Sequence, residues 1–135
     1  MRGLDTNVLL RAVTGDDPVQ SLLASRLLTE AEMSGERFHV STTVLCELVW
    51  ALRGGAYRQG RDGIVETLEA LLASGLFEVQ QRDLVRRALD DYREGPGDFA
   101  DYLIGWQDDA AGCAGTLTFD RKLEECDRFV VMSGK

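Results

Sequence analysis

The order in which short apolar stretches alternate with amphipathic ones constrains this chain more than anything else in it, because few packings satisfy strand–helix alternation. Met1–Leu4, Phe38–Val40, Phe77–Val79, Gly115–Phe119 and Phe129–Met132 read as strands. Helical patterns lie between them. After Asn7–Val13, Asp17-Pro18 opens a helix with an acidic cap and proline at its first position, and Ser34-Gly35 ends it. Val19, Leu22, Leu23, Leu27 and Ala31 share its expected inward face. Ser41, Thr42 or Thr43 caps a third helix with Val44, Leu45, Leu48, Val49 and Leu52 inward. Arg61–Ser74, Asp83–Glu94, Asp98 to about Gly112 and Arg121–Glu125 complete the series. The pattern predicts an α/β chain: a single three-layer α/β/α domain over residues 1–135, with a central parallel sheet of about five strands.

Charge and composition then remove whole classes of chemistry. With 23 acidic against 15 basic residues the net charge is −8. An acidic protein that handles phosphates needs cations to do so. One histidine, His39, is too few for a metal-free acid/base ribonuclease, and its place in Phe38-His39-Val40 suits a partly buried strand residue. The sequence holds no nucleophile elbow, phosphate loop or zinc helix. Cys46, Cys113 and Cys126 form no paired motif and are expected to be small buried side chains in a reducing compartment. No apolar run is long enough to span a membrane, and Met1 leads directly into Arg2-Gly3-Leu4-Asp5, so the expected location is cytoplasmic.

Carboxylates remain. In parallel α/β sheets the ligand site lies beyond the carboxyl ends of the strands. Asp5 and Asp120 each stand immediately after an expected strand, and so point to that rim. Glu47 and Asp101 lie early in helices, about 130° from the centre of each apolar stripe, at the core margin near the same rim. Singly, each has an ordinary reading: Asp120 as a helix cap, Asp98 with Asp101 as a capping arrangement, Glu47 as a solvated residue, Asp5 as a turn former. Gathered, four such charges repel strongly, and an all-oxygen ligand set suits Mg²⁺ or Mn²⁺ rather than zinc.

At these residues the chain resembles the PIN-domain family, and within it the VapC-type toxin ribonucleases of toxin–antitoxin pairs. The matching pieces are Gly3-Leu4-Asp5-Thr6-Asn7-Val8-Leu9-Leu10, Val44-Leu45-Cys46-Glu47-Leu48-Val49-Trp50, Asp98-Phe99-Ala100-Asp101-Tyr102-Leu103-Ile104 and Thr116-Leu117-Thr118-Phe119-Asp120-Arg121-Lys122-Leu123. The resemblance implies a metal site of Asp5, Glu47, Asp101 and Asp120, with Thr6, Asn7 and Thr118 as supporting hydrogen-bonders. Asp98 or Asp101 can face the metal; Asp101 is preferred because it precedes the Leu103-Ile104 pair. The resemblance further implies RNA cleavage leaving a 5′-phosphate and a 3′-hydroxyl, a homodimer, and an antitoxin partner. That partner fills a groove which the helices around Trp50, Leu52, Tyr57 and Leu68 are candidates to line. Arg11, Arg53, Arg58, Arg61 and Arg121 are candidates to follow the RNA backbone.

Two rival classes are weighed beside it. A phosphoacceptor receiver domain needs an acidic pair after its first strand, where Asp5 stands alone, and an acceptor where Glu47 lies inside a helix; Lys122 falls two residues beyond Asp120. A non-catalytic binding module on the same fold is the other.

Overall fold

A computed structural model describes residues 1–134, which divide into two compact units, Met1–Gln81 and a second from Arg82 onward. In the first unit the order is β1 (Arg2–Gly3), α1 (Thr6–Thr14), α2 (Pro18–Ser34), β2 (Phe38–Val40), α3 (Thr42–Arg53), α4 (Arg61–Ala73) and β3 (Phe77–Val79). The three strands form a parallel sheet in the order β1-β2-β3, with Arg2 opposite Phe38 and Phe38 opposite Phe77. Each crossover is a helix pair, long enough to return the chain to the same edge. Leu9, Phe38, Leu45, Leu48, Leu52, Ile64 and Leu68 are fully buried.

The caps follow the sequence. Asp17 accepts the backbone N–H groups of Val19 and Gln20, with Pro18 at the first helical position, and Gly35 closes α2 in the left-handed conformation. Ser41 caps α3 by accepting the Val44 N–H. One expectation for α2 fails. Val19, Leu22 and Leu23 are 68%, 51% and 59% exposed, whereas Ala24 and Ala31 are buried. At 3.6 residues per turn those three lie about 90° or more around the helix from the Ala24–Ala31 line, and small alanines bring this helix closest to its neighbours. Leu52 and Leu68 belong to the core, so neither lines an open groove; Trp50, 55% exposed, stays available.

Asp16, in the turn between α1 and α2, is a hydrogen-bond hub. The Tyr57 hydroxyl donates to its Oδ2 at 2.5 Å and accepts from Arg11 Nη1 at 3.2 Å, Thr14 Oγ1 donates to its Oδ1 at 2.7 Å, and Arg11 pairs with it at 3.2 Å. These bonds, that of Tyr57 first, hold the Asp16 carboxyl below the usual carboxylate range. A carboxyl lowered by folding stabilises the protein above its unfolded pKa, and the contribution disappears as pH falls through the folded value. Tyr57→Phe should therefore raise the Asp16 pKa toward the ordinary value in an NMR titration. The variant should lose stability at pH 7 but not at a pH below both values.

The second unit contains α5 (Arg82–Glu94), α6 (Phe99–Ala110), β4 (Thr116–Thr118), a single 3-10 turn (Arg121–Leu123) and β5 (Phe129–Val131). β4 and β5 pair in parallel, Leu117 opposite Val130. The strands expected as one sheet of about five are thus recorded as a parallel set of three and a parallel set of two, each strand only two or three residues long. Such short strands make few ladder bonds, and helix packing carries the layers. Tyr92 meets Phe99 edge to face at 6.2 Å, and the Gly97 N–H donates to the Tyr102 hydroxyl at 3.0 Å. Gly97 leaves room for its neighbours: a Cβ there would lie 2.6 Å from the Leu123 side chain, which would have to shift. The cysteines depart from expectation, for Cys113 is exposed and Cys46 and Cys126 are half-buried. His39 is half-buried on β2, as expected.

Candidate active site

In the first unit, chain direction sets the first acid. β1 ends at Gly3, Leu4 is buried, and Asp5 turns the chain into α1 as its N-cap, its Oδ1 accepting the Val8 N–H at 3.1 Å. An N-cap carboxylate is doubly favoured there, by the free amides and by the positive end of the helix. Thr6, the first helical residue, donates its hydroxyl hydrogen to Glu47 Oε1 at 2.7 Å. That bond brings together residues 41 positions apart, so that the second acid, exposed on α3, is held beside the start of α1.

Asn7 is exposed, and with Asp5, Val8, Arg11 and Leu23 it lines a groove of about 300 Å³. Cys46, beside Glu47, has its thiol pushed up to about 11 by burial and then by the Glu47 charge, which makes it an inert neighbour rather than a nucleophile.

In the second unit, Asp98 occupies the N-cap of α6, although its own side chain makes no cap bond. The bond runs the other way: the Asp98 backbone N–H donates to the Asp101 carboxylate, the returning half of a capping box. Asp101 is half-buried, and its carboxyl is held above the usual carboxylate range, first by burial, then by the negative charge of Asp98, and also by Asp120. The Asp98 N–H and the Lys122 charge oppose this shift. Asp120 follows β4 and caps the 3-10 turn, accepting the Lys122 N–H at 3.0 Å, while its own N–H donates to Thr118 Oγ1 at 3.1 Å. Thr118 thus supports the fourth acid through its backbone.

Asp5 and Glu47 therefore meet through Thr6 in one unit, and Asp98, Asp101 and Asp120 influence one another in the other. Among the described residues, no three His, Cys, Asp or Glu side chains are gathered so as to hold a metal by themselves. The donor chemistry nevertheless fits a hard dication, since Mg²⁺ is typically held through one or two carboxylates and keeps several waters. Burial does most to raise the Asp101 carboxyl, and the negative charges of Asp98 and Asp120, which add to it, are of the kind such an ion relieves.

The candidate arginines differ among themselves. Arg11 is engaged by Asp16, Gln20 and Tyr57 at the wall of the groove. Arg53 ends α3, about 9 Å along the helix from Glu47. Arg61 begins α4, Arg58 sits in the preceding loop with φ of 47°, and Arg121 is exposed directly after Asp120. Sequence spacing alone does not mark Lys122, because only the folding of the 3-10 turn returns its side chain toward the acid two positions earlier.

Known proteins align with this arrangement over nearly the whole chain. The family model for the PIN domain matches residues 4–128. A VapC ribonuclease of Aquifex aeolicus (strain VF5) is 30% identical over 125 residues, which cover 93% of this chain and 91% of that protein. No solved structure matches. Among the described residues no helix is long and apolar enough to cross a membrane. The span of the family match includes all four acids expected from the sequence, and the chain belongs to the PIN-domain family.

Proposed function

We propose that this chain works as one nuclease domain, the toxin ribonuclease of a toxin–antitoxin pair, and hydrolyses RNA phosphodiester bonds with the help of Mg²⁺ or Mn²⁺. The observation that carries the reading is the crowding of Asp101 by Asp98 and Asp120 in a chain whose only abundant catalytic material is carboxylate. The name of the Aquifex relative supports it. The candidate ligands are Asp5 and Glu47 in the first unit and Asp101 and Asp120 in the second, with Asp98 as a further one. When bound, such an ion offsets phosphate charge and makes a water acidic enough to attack near neutral pH.

The protein's own part is orientation. Thr6 fixes the Glu47 rotamer, and the Val8 N–H fixes Asp5, each engaging one carboxylate oxygen. The α6 cap does the same for Asp101. Arg53 and Arg121 supply positive charge for the RNA backbone. The groove of about 300 Å³ beside Asp5, lined on α2 by Leu23, Ala24 and Leu27, offers an antitoxin segment an apolar seat next to that acid. A homodimer acting in the cytoplasm completes the reading.

The test uses purified protein freed of any partner and a labelled RNA. Cleavage should appear with Mn²⁺ or Mg²⁺, vanish in EDTA, and leave 5′-phosphorylated ends. Cleavage that survives EDTA rejects the metal-dependent reading, and RNA left intact under every ion condition favours a binding module.

A further inference from the structure

The acids of the second unit have a cation of their own. Lys122 lies in the 3-10 turn that Asp120 caps, and its Nζ stands 3.9 Å from Asp120 Oδ2. Its charge also reaches Asp101. The Lys122 side chain is 54% exposed, and 3.9 Å is too long for a hydrogen bond, so charge alone draws the ammonium to the carboxylate. Exposed pairs of this kind are weak and easily displaced.

We propose that Lys122 is a resident counter-cation that rests against Asp120 and must yield when a dication enters, so that it sets the protein's ion affinity from within. This rests on the metal-dependent reading above. Lys122 is a positioning residue in this scheme, acting through Asp120 rather than on RNA. Before an ion arrives, the ammonium offsets part of the repulsion among Asp98, Asp101 and Asp120. Once an ion arrives, the same ammonium repels it.

Two opposite effects of one substitution follow. Lys122→Gln keeps most of the side chain and removes its charge. In protein stripped of metal, the variant should unfold at a lower temperature than wild type. In calorimetric titrations with Mn²⁺ and no RNA, it should bind the ion about fivefold more tightly at low salt, the scale of the repulsion between a unit charge and a dication ~8 Å apart in water, the ammonium having swung away. The difference should shrink in about 1 M salt, where screening acts within ~3 Å. Lys122→Arg should restore the wild-type affinity, which a merely structural role for the lysine stem would not require. Equal or weaker Mn²⁺ binding by Lys122→Gln overturns the proposal and leaves the metal-dependent reading standing. Wild-type protein that binds no Mn²⁺ overturns both.

Discussion

Asp101→Asn is expected to abolish RNA cleavage and yet leave the protein at least as stable as wild type. Removing a partner one step away from a metal already costs about 10–100-fold, so loss of a ligand itself should exceed a hundredfold. Stability moves the other way because burial, Asp98 and Asp120 all disfavour the ionised form of Asp101. A carboxyl raised by folding costs stability above its folded pKa, and the cost disappears below its unfolded value. Asparagine carries no charge at any pH and retains a carbonyl oxygen for the Asp98 N–H. Thermal unfolding at pH 7 should therefore show an unchanged or higher midpoint, alongside a cleavage rate at background. A clear fall in the midpoint would mean that the carboxylate is there for the fold.

The second large effect is structural. Phe99 lies between the two acids at the start of α6, is 0% exposed, and meets Tyr92 edge to face. Phe99→Ala would remove that ring and leave a cavity, costing about 3–5 kcal/mol. Against a typical total of about 5–15 kcal/mol, that is a large share of the whole. Denaturant unfolding followed by circular dichroism should show the midpoint falling with little change in slope. A loss under ~1 kcal/mol would mean that the site collapses around the gap, contrary to a rigidly packed base under Asp98 and Asp101.

Much of this was legible from local chemistry. Asp17-Pro18, Ser41 and Gly35 mark their helix ends through side-chain and backbone preferences that act within one turn, and the structure places all three at caps. The family resemblance was equally readable from its four motifs, and the family model matches residues 4–128. What failed depends on three-dimensional packing. The leucines of α2 fit an amphipathic stripe as well as Ala24 and Ala31 do, and only the approach of a neighbouring element decides that the alanines go inward. The Tyr57–Asp16 bond joins residues 41 apart through a loop that carries no periodic signal. Lys122 escaped for a related reason, since a residue two positions from an acid lies roughly 7 Å along the same face of a strand, or on the far side of an α-helix, and closes on it only in a tight turn.

The most direct test of the central claim is the RNA cleavage rate, in Mn²⁺, of four variants compared side by side: Asp5→Asn and Glu47→Gln from the first unit, Asp101→Asn and Asp120→Asn from the second. Each exchange nearly preserves shape and removes one charge. All four rates should fall to that of the EDTA control, with every variant folded by circular dichroism. Wild-type cleavage by either pair would contradict a hydrolytic role for the four carboxylates.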